Sequence, residues 1–303
     1  MTIAASTPLD DEPGTAASAR PPISDDSATL RQRLRPFLRP QIIVGVAVVA
    51  LWILIIVFAS LLSPYDPFAS SGPRLQPPSG SHLLGTDALG RDVLSRVLHG
   101  ARQSLPIALI TITISVVVGS VVGAVAGFFG GIVDAVLMRL ADITMAFPSI
   151  LLAMAVTAAL GPGLTNAFIA IVVVWWPIYA RLIRGQILSI KEREHVVAAE
   201  AIGMSRLKTL RKHVLPHAST PVMVNATMDF GTIIILIASL SFLGLGALPP
   251  SPEWGAMITE GTANFYQWWI AAGPGVAMVS IVLAVNFLGD GLRDVFQLKT
   301  RAR

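Results

Sequence analysis

Residues 189–216 read SIKEREHVVAAEAIGMSRLKTLRKHVLP. This stretch is polar and strongly basic, yet apolar runs of membrane-spanning length flank it on both sides, so it reads as a water-exposed connector between two spans. Apolar residues recur in it at helical spacing twice. Val196, Val197, Ala199 and Ala201 precede Gly203, and Leu207, Leu210 and Val214 follow it, with Pro216 as the expected stop. Such a helix-turn-helix on a greasy chain is either a surface gripped by another protein or an ordinary connector whose bases fix topology.

The rest of the chain supports the membrane setting. Over 303 residues, 53% are hydrophobic and only 13% charged, about half the usual charge content of roughly 25%. There are no cysteines, which excludes disulfide and thiolate chemistry. The net charge of +4 does not imply nucleic acid, because the bases cluster beside apolar spans and not among exposed aromatics.

A spanning helix needs about 20 apolar residues. Windows of that kind occur at 41–65, at 103–133, twice within 143–180 with Gly161-Pro162-Gly163 as the break, at 220–248 around a single acid, Asp229, and within 261–289. The expected fold is therefore an all-α integral membrane protein of six spans. It divides into a tail at 1–39, a first span at 40–65, an outer segment at 66–104, a five-helix core at 105–290 containing the loop 181–218, and a closing tail at 291–303. With the N-terminus inside, every one of the 22 Lys and Arg residues except Arg74, Arg91, Arg96 and Arg102 falls on the cytosolic side, as the positive-inside rule requires. The Ala-, Ser-, Pro- and Asp-rich residues before about 30 carry no apolar stretch and read as a disordered cytosolic tail. In the outer segment, Leu89, Val93, Leu94, Val97, Leu98 and Ala101 predict one apolar face, with Arg91, Asp92, Arg96 and Arg102 directed away from it. That pattern predicts an amphipathic helix lying on the membrane or against the bundle.

The residues from Val197 resemble the EAA loop of ABC importer permeases: Ala198 and Ala199 stand at the alanines, Gly203 at the glycine and Leu215-Pro216 at the closing pair. Val197 replaces the glutamate of that motif and His213 its isoleucine. Two further segments, GTDALGRDVLSRVLHGAR at 85–102 and LSFLGLGALPPSPEWGAMITEG at 240–261, with DAVLMRLADI at 134–143, are similar to the dipeptide and oligopeptide branch, DppC/OppC type. This resemblance covers residue 40 onward. It implies a type I importer permease in the bacterial cytoplasmic membrane, with both termini cytosolic, working by alternating access. The implied partners are a second homologous permease, two ATPase subunits that carry ATP and Mg, and an extracytoplasmic solute-binding protein, besides the lipid bilayer. The loop would be the coupling helix, with Glu194, Ala198, Ala199, Gly203, Met204, Ser205, Leu207, Leu215 and Pro216 as ATPase-coupling residues. Peptides are the implied cargo, with nickel, glutathione or another small solute as alternatives. The residues agree in one respect: no Gly-Lys pair occurs, so no GxxxxGK[ST] phosphate loop does either. No cofactor and no catalysis are expected in this subunit.

Other features leave choices open. His213 and His217 are four apart, but Pro216 intervenes and no third ligand is near, so no metal site is expected. Trp175-Trp176 and Trp268-Trp269 fall near expected span ends, where aromatic belts sit. Gly119, Gly123 and Gly127 place small residues at four-residue spacing, as close helix packing requires. Asp229 either bonds a neighbouring helix or, with Asn225 one turn away, lines a translocation path. Pro249, Pro250 and Trp254 mark a stiff external loop expected at the outer gate or the binding-protein contact. A proton-coupled transporter or channel remains the alternative class, although the spans show one clear acid and no repeated halves.

Overall fold

The computed structural model describes residues 40–301, with side chains omitted at 195, 200 and beyond 294; the expected disordered tail at 1–39 and the last two residues of the closing tail lie outside the described residues. The helices are α1 (Pro40–Leu62), α2 (Val93–Phe129), α3 (Gly131–Met145), α4 (Ser149–Leu160), α5 (Leu164–Lys191), α6 (Glu194–Ala201) and α7 (Arg206–Thr209). A π-helical turn (Leu210–Val214) then leads into α8 (Leu215–Phe242), followed by α9 (Trp254–Ala263) and α10 (Trp269–Arg301). Five stretches are long and apolar enough to cross a membrane, and α3 with α4, bent by 91°, gives a sixth if the pair is one broken span.

The first span is tied to the core along its whole length. Gly45 lies where a Cβ would stand 2.8 Å from the Ala284 carbonyl, so α1 and α10 approach closely there, and Gly291 leaves room for the Ile42 side chain to seat against α10. Trp52 donates to the Ser280 hydroxyl at 2.9 Å and packs edge-on against Trp254. At the end of α1, Arg102 donates to the Ile56 and Val57 carbonyls at 2.6 and 2.9 Å. A cation there adds a second donor to carbonyls in the last turns of α1 and sits favourably at the negative end of the helix dipole.

The small residues of α2 meet α5 as their spacing predicts. A Cβ on Gly123 would lie 2.1 Å from the Ala180 carbonyl, and one on Gly119 would lie 2.3 Å from that of Trp176. Two long helices thus touch without intervening side chains, which is how apolar spans gain contact when lipid competes equally for their surfaces.

Four expectations are corrected. The predicted surface helix is not separate: Asp92 caps α2 by accepting from the Ser95 amide at 2.8 Å, and the helix runs on through Pro106 into the span. The break after the second span is Gly130, at φ +65°, rather than the expected limit at 133. A second break at Phe147-Pro148 shortens the third span, because the residue before proline avoids helical geometry. Finally, Pro216 stops nothing. It stands at the start of α8, and the wider π-turn before it removes the carbonyl clash that a proline makes in a continuous α-helix.

Candidate functional site

The loop at 194–216 is built around a helix end. After α6 the chain turns at Gly203, whose φ of +90° is the left-handed region. The Met204 amide returns to the Ala199 carbonyl at 3.1 Å and the Ile202 amide to that of Ala198 at 3.1 Å. A six-to-one bond closed over a left-handed residue is the glycine C-cap that ends many helices, so the spacing of Ala199 and Gly203 has a local physical cause. Val196, Ala199, Thr209 and Val214 are buried and hold the loop to the bundle. Beside them lies a cleft of about 580 Å³ lined by Gly130, Ile187, Lys191, Val196, Arg206 and Leu210 among others.

The opposite side of the loop is uncovered. Val197, Ile202 and Leu207 are exposed, Ile202 at 83%, and Arg206, Lys208, Arg211 and Lys212 are exposed close by in sequence. An apolar centre with a basic rim is the composition of a protein contact. Glu194, Ala198, Ser205, Leu215 and Pro216 are also exposed, whereas Ala199 is buried and Met204 half-buried. Ala199 therefore anchors the loop, and Val197 and Ile202 join its outward face. The sequence pattern placed Val197 in the apolar repeat before Gly203 and noted it as a departure from the motif, without listing it among the coupling residues. No volume restricts Gly203, since a Cβ there would meet nothing within 4 Å; of the two reasons for a glycine, the backbone angle is the operative one.

The outer segment carries a second construction. Asp87 Oδ2 accepts from Arg91 Nε at 2.6 Å and Arg96 Nη1 at 2.9 Å, while Asp87 Oδ1 accepts from the Leu89 and Arg91 amides. Arg91 Nη2 reaches both oxygens of Glu260 on α9 at 3.1 Å. His82 Nδ1 lies 2.9 Å from Asp92 Oδ1, and Asp92 Oδ2 accepts from Ser95. Arg91, Asp92 and Arg96 were expected to face water; they are buried, and Leu89 is exposed. Burial, with the neighbouring Asp87 charge adding to it, pushes the Glu260 carboxyl above the ordinary range, and Arg91 draws it partly back.

Trp254 is likewise corrected. It is fully buried, its indole donates to the Val97 carbonyl at 3.0 Å, and Glu253 caps α9 by accepting from the Gly255 and Ala256 amides, each at 2.9 Å. It anchors α9 to α2 and offers nothing to an outside partner, while Pro249 and Pro250 are exposed. Trp175 is no belt residue either. From the interior of α5 it donates to Asp229 Oδ2 at 3.3 Å, and Tyr179 donates to the same oxygen at 2.6 Å. Asp229 thus bonds a neighbouring helix, the first of its two readings, with Asn225 exposed one turn before it. Trp268 is exposed, whereas Trp269 is half-buried and donates to the Thr86 carbonyl. Among the described residues no group of three or more His, Cys, Asp or Glu could hold a metal.

Residues 119–302 match the family of binding-protein-dependent transport system inner membrane components. The chain belongs to that family. The permease is 43% identical over 264 residues to the dipeptide transport system permease protein DppC of Alkalihalophilus pseudofirmus, covering 86% of each chain. It is 41% identical over 263 residues to the probable D,D-dipeptide transport system permease protein DdpC of Escherichia coli K12, covering 86% of this chain and 88% of that one. With the glutathione transport system permease protein GsiD of Escherichia coli O157:H7 it shares 44% identity over 261 residues, 84% of each chain. Among solved structures, the inward-facing MetNI methionine ABC transporter matches with a TM-score of 0.50 and 23% identity, over 64% of this chain and 94% of that one, which confirms the type I importer fold. Membership implies ATPase and binding-protein partners for the permease, and a multi-pass place in a bacterial membrane.

Proposed function

We propose that the permease imports di- or oligopeptides by alternating access, paired with a second homologous permease and driven by two ATPase subunits that dock on the loop at 194–216. The carrying observation is the shape of that loop: a glycine-capped turn that presents Val197, Ile202 and Leu207 outward within a basic surround. Peptide cargo is supported by relatives over 40% identical that are named for dipeptides, with glutathione, itself a peptide, named for another. Both termini and the loop are assigned to the cytosol because the bases crowd that side. The exposed Pro249-Pro250 turn is assigned to the outer face, where a binding protein would approach. The subunit carries out no bond chemistry; ATP and Mg belong to its partners.

Reconstitution tests this reading. Proteoliposomes holding the permease, its second permease and its ATPases, supplied with the binding protein, are expected to accumulate a labelled dipeptide only when ATP is present on the ATPase side. Accumulation driven by a proton gradient without ATPases would instead establish the secondary-transporter class.

A further inference from the structure

We propose that Asp229 is a receiving site for the α-ammonium group of a peptide in transit, set in a polar stripe of α8 that faces the translocation path. The proposal rests on the peptide-import reading above and adds the chemical group recognised.

The stripe is a matter of helical register. Asn225, Asp229, Thr232 and Ser239 follow one another at intervals of four, three and seven residues, so they share one face over about 21 Å at 1.5 Å per residue. Asn225 and Thr232 are exposed, and Asp229 and Ser239 half-buried. Only Ser239 satisfies its own hydroxyl, donating to the Ile235 carbonyl at 2.8 Å. The Asn225 amide and the Thr232 hydroxyl have no partner among the described residues. Uncovered amide, hydroxyl and carboxylate groups cannot rest against hydrocarbon without a cost of several kcal/mol. This face of α8 therefore looks onto water, a polar ligand or the partner permease, and not onto lipid; the free carboxylate oxygen described next favours the ligand.

Asp229 sits near the middle of α8, and its surroundings fix one oxygen and leave the other free. Both protein donors, the Tyr179 hydroxyl and the Trp175 indole, go to Oδ2, so the carboxylate is held at a set angle from α5. Oδ1 has no hydrogen bond among the described residues, and no Lys, Arg or His there pairs with Asp229. Two neutral donors orient the carboxylate without neutralising it. The missing complement is a cation carrying N–H donors. Peptides of any sequence bring one such group at a constant position, the α-ammonium, and a path for varied side chains gains by recognising what does not vary.

The test uses the complete transporter in proteoliposomes with labelled trialanine. Asp229→Asn keeps an oxygen that can accept from Tyr179 and Trp175 but removes the charge; uptake is expected to fall about tenfold, the loss of one charge-assisted contact, with co-purification of all subunits and binding-protein affinity unchanged. Asp229→Glu is expected to recover most of the rate, and Tyr179→Phe, which removes a donor and leaves the charge, to cost less than Asp229→Asn. Wild-type uptake by Asp229→Asn, or a larger loss in Tyr179→Phe, overturns the proposal and leaves Asp229 as a post between helices. Loss of the second permease from the purified Asp229→Asn complex overturns it in favour of a contact between subunits. If the unmodified transporter takes up no peptide, the cargo reading fails first and this site with it.

Discussion

Gly203→Asp is expected to reach the membrane at normal abundance and to abolish transport. The backbone at Gly203 is left-handed, with φ +90°, a conformation that costs most L-residues roughly 1–2 kcal/mol and that Asp adopts only occasionally. Space is not the obstacle, since a Cβ there meets nothing within 4 Å. The strain acts instead on the Met204–Ala199 closure that sets the direction of the chain between α6 and α7. Relaxing it would move Ile202 and Leu207, the exposed apolar residues on either side of the turn. The new carboxylate would also face desolvation in an ATPase groove. The packed interior formed by α2, α5, α8 and α10 lies elsewhere, so insertion should survive. Membrane abundance, peptide uptake and ATPase co-purification, measured together, check the expectation, and normal uptake at normal abundance would remove the loop from the coupling path.

Asp87→Asn is expected to destabilise the end of the permease that holds residues 66–92 and α9 by about 3–5 kcal/mol, the usual result of removing one partner from a buried ion cluster. Asp87 accepts from two guanidinium groups and two backbone amides, with its side chain 1% exposed. Without its charge, Arg91 and Arg96 retain Glu260 as their one anionic partner among the described residues, and Arg96 Nε already lacks a partner there. The loss should appear as a lowered thermal midpoint and as faster proteolysis within residues 66–92. An unchanged midpoint would mean that the cluster does not clamp this segment to α9.

How far the sequence revealed these features depended on whether their cause was local. The five apolar spans and the glycine at the loop turn were legible because length, hydropathy and a left-handed cap are properties of neighbouring residues. The outer cluster was not. Arg91 and Arg96 read as the wet side of an amphipathic helix because their partner Glu260 lies 169 residues from Arg91, and a helical wheel carries no information at that range. The same holds for Trp254, whose proline-rich surroundings suggested an exposed tip while its indole seeks the Val97 carbonyl. Trp175 was assigned to the membrane boundary although Asp229, 54 residues on, holds it inside. Pro216 misled for the reverse reason: the proline rule is local, but a π-turn satisfies it without ending the helix.

The most direct measurement is a photocrosslink from Ile202. The sequence has no native cysteine, so Ile202→Cys carries a single thiol-directed crosslinker at a residue 83% exposed on the loop. An adduct with an ATPase subunit is expected in the assembled transporter, changed in yield when ATP replaces ADP. Adducts with the extracytoplasmic binding protein, or none with an ATPase subunit in a fully assembled complex, would contradict it.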